Sequence, residues 1–239
     1  MNALSKKKVV VIGGGSGMGL EVAHQAASAG SEVVLFGRSE TKLKQAAETI
    51  PGQASWKSVD IGDEDSVRRA FSTLDGVDHV VSTAASLTFA PIDKVSTAQI
   101  EDMLASKFWG PLFAAKHAAP LLRAGGSITF LSGLAAYRPG PGATIVAALN
   151  AALEGMAMGL ALELKPVRVN VVSPGVIDTP TWDFLSAGDR QAMFDSIASQ
   201  LPVGRVGQAN DIAEAVLSVM TNGFINATVI HVDGGGRVA

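Results

Sequence analysis

Val9-Val10-Val11-Ile12-Gly13-Gly14-Gly15-Ser16-Gly17-Met18-Gly19 decides the fold of this chain. Four β-branched residues in a row leave no polar face, which marks a strand buried on both sides of a parallel sheet. The glycines break that strand, and residues 20–29 read as a helix closed by Gly30. The same alternation continues outward. Residues 32–36, 55–59, 79–82, 127–131, 167–172 and 228–232 read as further strands. Between them, residues 41–50, 96–122, 146–164, 189–199 and 210–221 read as helices, and Asp63-Glu64-Asp65 opens another. In that last helix Val67, Ala70, Phe71 and Leu74 repeat at helical spacing. Ser96 and Gln99 form a capping box, and Pro111 is expected to kink the helix that follows. No linker, repeat or shift of composition divides the chain. It is read as one domain, residues 1–239, built on a doubly wound parallel sheet of about seven strands. The ligand of such a sheet lies at the carboxyl ends of the strands, where the strand order reverses.

Composition narrows the function. With 47% hydrophobic and 17% charged residues, the 239-residue chain buries a large core and is not disordered. A formal charge of −3 speaks against nucleic-acid or membrane-surface partners. The absence of cysteine excludes a disulfide scaffold, a thiolate nucleophile and a Cys-ligated metal, and fits the cytoplasmic location expected here. The apolar run after Lys6-Lys7-Lys8 is too short for a signal peptide or a membrane span. The alanine-rich residues 143–152 include Thr144 and Asn150 and read as a buried helix. His24, His79, His117 and His231 are scattered without metal-ligand spacing, and Ser132 has no His and Asp at triad spacing. Tyr137 is the single tyrosine.

The glycine loop sits between a strand and a helix, the Rossmann-type context in which backbone approaches a pyrophosphate at a helix N-terminus. An NAD site places a carboxylate at the tip of the second strand to bond the ribose 2′-hydroxyl. Here that tip reads Gly37-Arg38-Ser39, with Lys42 one turn on. A guanidinium and a hydroxyl suit a 2′-phosphate, so NADP(H) is expected.

With these motifs in place, the chain resembles the short-chain dehydrogenase/reductase family nearly end to end. Ile12 to Gly19 matches the family's opening T-G-x-x-x-G-x-G, with Ile12 for Thr. Asp60, with Ile61 after it, matches the acidic position that borders adenine. Residues 168–180, including Pro174, Gly175, Ile177 and Thr179, match the stretch that holds the nicotinamide amide and phosphates. Residues 201–207 and 232–235 match as well. The resemblance implies a nucleotide site formed by Gly13, Gly15, Ser16, Gly17, Met18 and Gly19 together with Arg38, Ser39, Asp60 and Ile61. It also implies a substrate lid over about residues 180–205, with Trp182 and Phe184 in it. Assembly as a homotetramer or homodimer through the two long helices is expected from the same resemblance.

The departures fall on the chemistry. The family's Asn-Asn-Ala-Gly appears as Ser82-Thr83-Ala84-Ala85, where Ser82 and Thr83 replace some of its hydrogen bonds. The catalytic Asn, Ser, Tyr and Lys positions align with Lys107, Gly133, Val146 and Asn150. Valine transfers no proton, and asparagine only hydrogen-bonds a ribose hydroxyl. Two groups are candidates to rebuild the acid. Lys107 projects toward the old catalytic centre, where an ammonium donates a proton or stabilises an oxyanion; its ordinary alternative is to reach solvent or a cofactor phosphate. Tyr137 lies in a loop nine residues early and is otherwise a rim residue. Two functions follow: an NADP(H)-dependent oxidoreductase acting on an unknown carbonyl or alcohol through a non-standard acid–base arrangement, or a catalytically silent NADP(H)-binding sensor or partner subunit.

Overall fold

The computed structural model describes residues 3–239. Strand β1 (Lys8–Ile12) leads into helix α1 (Gly17–Ser28), followed by β2 (Glu32–Gly37), α2 (Glu40–Thr49), β3 (Ala54–Ser58), α3 (Glu64–Phe71) and β4 (Val77–Ser82). The second half runs α4 (Thr97–Leu104), α5 (Gly110–Ala118), β5 (Leu122–Leu131), α6 (Thr144–Glu163) and β6 (Arg168–Pro174). Then come β7 (Ile177–Asp178), α7 (Ala187–Ala198), β8 (Gly207–Gln208), α8 (Ala209–Thr221) and β9 (Val229–Val232). Seven strands form one parallel sheet in the order β3-β2-β1-β4-β5-β6-β9. The expected doubly wound Rossmann-type sheet is therefore present, and its order reverses between β1 and β4.

The β1 run is apolar throughout because each face of the sheet carries its own core. Val10 and Ile12 pack with Val34, Phe36, Val80 and Phe130 on one side. Val9 and Val11 pack with Val33, Leu35, Val22 and Ile212 on the other. Full burial of each such side chain contributes about 1.5–3 kcal/mol.

Three local features differ from the expectations. The helix predicted over 96–122 is broken: α4 passes into a π turn, Ala105–Trp109, before α5. Pro111 has no N–H and its ring crowds the carbonyl four residues back, and the widened turn in front of it relieves both problems. The Gly110 N–H consequently bonds the Ala105 carbonyl. Strand β5 begins five residues early, at Leu122, because a bulge opposite Asp78 lets the chain pair before Ser127. Gly126 is required there, since a Cβ would lie 2.3 Å from the Asp78 carbonyl oxygen. Finally, β7 and β8 form a small parallel pair that no sequence period announced. Helix α6 has the length and apolarity of a membrane span, yet it packs against β6. Its outer face, with Ala148, Ala151, Gly155, Met158 and Leu162, is exposed.

Candidate active site

The turn from β1 to α1 closes on the end of β4. Gly13 has φ +84, and a Cβ on it would lie 2.5 Å from Thr83 Oγ1 and 2.8 Å from the Ala84 nitrogen. A Cβ on Gly19 would lie 2.3 Å from the Gly13 oxygen. Only glycine fits at either place. Thr83 donates both its N–H (2.9 Å) and its hydroxyl (3.0 Å) to the Ile12 carbonyl. It thereby takes on a tie between strands, while the buried Ser82 hydroxyl finds no partner. Ser16 begins α1 without capping it by its side chain, so the first N–H groups of the helix stay open toward the cleft.

That cleft has a volume of about 630 Å³ and lies at the strand-order reversal. Gly13, Gly15, Ser16, Gly17, Met18 and Gly19 form its floor. Arg38 and Ser39 stand at the tip of β2, Asp60 and Ile61 follow β3, and Thr83, Ala84 and Ala85 follow β4. Thr179 closes the far side. The Ser39 hydroxyl caps α2 by accepting the Lys42 N–H, which places Lys42 beside Arg38 at the rim. Neither cation is paired with a carboxylate among the described residues. Asp60 uses Oδ1 to accept the Gly62 N–H, 2.9 Å. An open helix N-terminus, a glycine-rich cradle and two unpaired cations fit a dinucleotide that carries an extra phosphate. Gly175 and Ile177 instead line a separate cavity of about 330 Å³ with Arg205, Asp211 and His231. Pro174 and Asn150 are buried in neither lining.

Lys107, Gly133 and Asn150, three of the positions aligned above with the family's catalytic residues, converge at the carboxyl end of β5. The π turn swings Lys107 inward, and its Nζ donates to the carbonyls of Leu131 (2.8 Å) and Ser132 (3.2 Å). Lys107 is only 6% exposed, and burial lowers its pKa from 10.5 to about 8. It therefore neither snorkels to solvent nor lines the nucleotide cleft. Asn150 Nδ2 donates to the next carbonyl, Gly133, at 3.4 Å. A Cβ on Gly133 would lie 3.0 Å from that same Nδ2, so the amide fills the space a serine would need. Asn150 Oδ1 is buried and has no partner. Val146 is packed with Met103 and Leu149, against Leu87 and Phe108.

Tyr137 is joined to this centre through Glu154 and Ser132. Its hydroxyl donates to Glu154 Oε2 at 2.5 Å, and its ring packs edge-on against His231. Burial and the Glu154 carboxylate push its pKa up to about 12, which makes it a poor proton donor. Ser132 donates to the other Glu154 oxygen, 2.7 Å. The sequence reading missed Glu154, although a lone carboxylate one turn after Asn150 in an alanine-rich helix was a signal. It also missed Asp102 and Ser106, which line the cleft at i, i+4 spacing before Lys107 and both bond Ser86.

A family model described as enoyl-(acyl carrier protein) reductase matches residues 13–236. The short-chain dehydrogenase/reductase ucsE of an Acremonium species is 32% identical, across 99% of this chain and 97% of its own length. A small-chain dehydrogenase solved in complex with NADPH is 38% identical, with a TM-score of 0.86 over 98% of this chain and all of that one. The MalC reductase/Diels-Alderase of Malbranchea aurantiaca superposes with a TM-score of 0.93 at 29% identity, over 100% of this chain and 99% of that one. With the doubly wound sheet and the glycine cradle, these likenesses establish that the chain belongs to the short-chain dehydrogenase/reductase family of oxidoreductases.

Proposed function

We propose that this protein is an NADP(H)-dependent oxidoreductase acting on a carbonyl or alcohol through a non-standard acid–base centre. The observation that carries this reading is the glycine cradle joined to an unpaired Arg38 at the tip of β2 and an unpaired Lys42 in the first turn of α2. The N–H groups of residues 15–19 hold the pyrophosphate. Arg38, Ser39 and Lys42 hold the 2′-phosphate, and Asp60 and Ile61 border the adenine. Thr179, which lines the cleft on its far side, holds the nicotinamide end. The bound cofactor supplies or accepts the hydride. Lys107 contributes positive charge at the end of β5, where a dry site makes an ammonium effective against a developing oxyanion. Tyr137 takes no part.

Calorimetric titration with NADPH and NADH, followed by NADPH oxidation across a panel of carbonyl compounds, tests this. NADPH is expected to bind at least tenfold more tightly than NADH, and Lys107→Ala to slow turnover. No binding of either nucleotide would refute it. One observation favours the silent alternative: Val146, at the proton donor's position, is sealed in an apolar cluster. Tight NADPH binding without turnover of any acceptor would decide for it. We also propose self-assembly as a homodimer or homotetramer through the outer face of α6. Nothing in the protomer lies within 4 Å of a Cβ on Gly155 or Gly159, so their lack of side chains serves nothing within one copy.

A further inference from the structure

Two buried groups of opposite charge hold the same residue at the end of β5. Lys107 donates to the Ser132 carbonyl at 3.2 Å, and Ser132 donates its hydroxyl to Glu154 Oε1, on α6, at 2.7 Å. Lys107, Ser132 and Glu154 are all buried. Neither Lys107 nor Glu154 has an ion-pair partner within 4 Å among the described residues. A carboxylate held away from water is costly unless hydrogen bonds replace its hydration. Here two hydroxyls do so, those of Ser132 and Tyr137.

The backbone that Glu154 holds explains what a carboxylate does there. Successive carbonyls of an extended strand point to opposite sides. The single ammonium of Lys107 nevertheless reaches two in succession, Leu131 at 2.8 Å and Ser132 at 3.2 Å. The chain therefore turns out of the strand at Ser132. Its N–H still belongs to the sheet and bonds the Val172 carbonyl at 3.0 Å. Each polar group of Ser132 is thus fixed by a different element: the N–H by β6, the hydroxyl by α6, the carbonyl by Lys107. The next residue is Gly133, which adds no side chain to hold the turn. The bond to Glu154 is the one side-chain tie that keeps the Ser132 carbonyl facing Lys107.

We infer that Glu154 is a positioning residue: through the Ser132 hydroxyl it holds the carbonyl that keeps the Lys107 ammonium at the end of β5. The catalytic consequence rests on the oxidoreductase reading above. Glu154 acts by its hydrogen bond and not as a counter-charge. Releasing the Ser132 carbonyl takes one acceptor from a buried ammonium, so the proton leaves Lys107 more easily and its titration midpoint falls. Leu131 keeps the shorter bond, which makes the effect partial. Of the other titratable groups, α4 carries Glu101 and Asp102, the turn after β5 carries Tyr137 and Arg138, and β9 carries His231. The variants below keep all of these.

The test follows the Cε resonance of Lys107 by NMR in the full chain labelled with [13C]lysine, assigned by its loss in Lys107→Met. Glu154→Ala and Ser132→Ala are each expected to lower the titration midpoint by about half a unit to one unit, part of the worth of a hydrogen bond to a charged group. Glu154→Gln, whose amide oxygen still accepts the Ser132 hydroxyl, is expected to recover most of that shift. In NADPH oxidation kcat should fall by about 3- to 10-fold in the two alanine variants and recover in Glu154→Gln, while the calorimetric affinity for NADPH, which reports an intact cleft, stays within about twofold. Should Glu154→Ala fail to fold, Ser132→Ala decides, since it removes a single hydroxyl. A midpoint that Ser132→Ala does not move, or that Glu154→Gln lowers as far as Glu154→Ala does, would overturn the inference. The midpoints are read without turnover, so a wild-type protein that oxidises NADPH with no carbonyl compound would count against the oxidoreductase reading alone.

Discussion

Replacing Lys107 by methionine should make this protein more stable near neutral pH and less active. Burial lowers the pKa of Lys107 from 10.5 to about 8. The folded state therefore holds this proton more weakly than the unfolded chain does. Below pH 8 both states carry the ammonium, and the fold bears the full penalty, about 3 kcal/mol. Stability then rises with pH and is fully regained above 10.5. Methionine keeps the volume and removes the penalty, but it also removes the donor to the Leu131 and Ser132 carbonyls, at about 1 kcal/mol for each bond. The variant should be about 1 kcal/mol more stable than wild type near pH 7. Between about pH 7 and about pH 10 the difference should swing by about 2.5 kcal/mol in favour of wild type. Urea denaturation followed by circular dichroism at the two pH values measures this directly, because the titrations of other groups cancel in the comparison. Turnover, lacking one charge aimed at a developing oxyanion, should fall by about 10²-fold. A stability difference that does not move with pH would refute the buried-ammonium account. A variant as active as wild type would refute its functional role.

Arg38→Ala should weaken NADPH by about 10- to 100-fold, the value of a charge-assisted bond, while leaving NADH nearly unchanged in the same calorimeter. Gly133→Ser puts a Cβ 3.0 Å from Asn150 Nδ2, and that crowding should cost about 1–2 kcal/mol. Combined with Asn150→Ala, most of this cost should disappear, and additive losses in a double-mutant cycle would contradict the packing described. His79, held neutral by burial with a pKa of about 4, must charge when the chain unfolds in acid. Stability should therefore fall as pH drops from 6.5 to about 4, by about 3 kcal/mol, and His79→Gln should flatten that slope in acid titrations followed by fluorescence. Gly159→Leu places a large side chain on the open face of α6 and should shift light scattering toward monomer without lowering the melting temperature by more than a few degrees.

Most of the fold was legible because its signals are local. The β1 run could belong only to a strand buried on both faces, and the glycines after it only to a close turn. The nucleotide cleft was legible for the same reason, since its floor is one continuous segment and its rim falls at strand tips. Long-range partners were not. The inward turn of Lys107 depends on Pro111 widening the helix ahead of it, and its destination is a pair of carbonyls on another strand. Glu154 gained its role only when Ser132 and Tyr137 arrived from 22 and 17 residues away. Ile177, read as a nicotinamide contact, faces the smaller cavity because β7 pairs with β8.

The replacements at the end of β5 form a coupled set. On the alignment read from the sequence, the family's carboxamide position carries an ammonium and its ammonium position a carboxamide, and we propose that the two groups have exchanged places. Each exchange has a structural counterpart. The π turn delivers Lys107 to the Leu131 and Ser132 carbonyls, and the loss of a side chain at position 133 admits the Asn150 amide. Val146 is buried in an apolar cluster with Met103 and Leu149. Restoring tyrosine at 146 alone should therefore not restore acid catalysis. The Lys107 ammonium is held by the Leu131 and Ser132 carbonyls, and a serine at 133 would crowd the Asn150 amide. The four positions have to revert together, with Lys107→Asn, Gly133→Ser, Val146→Tyr and Asn150→Lys in one chain, before the family's acid-assisted carbonyl reduction is restored. Gain of ketone reductase activity by Val146→Tyr alone would show that the positions act independently.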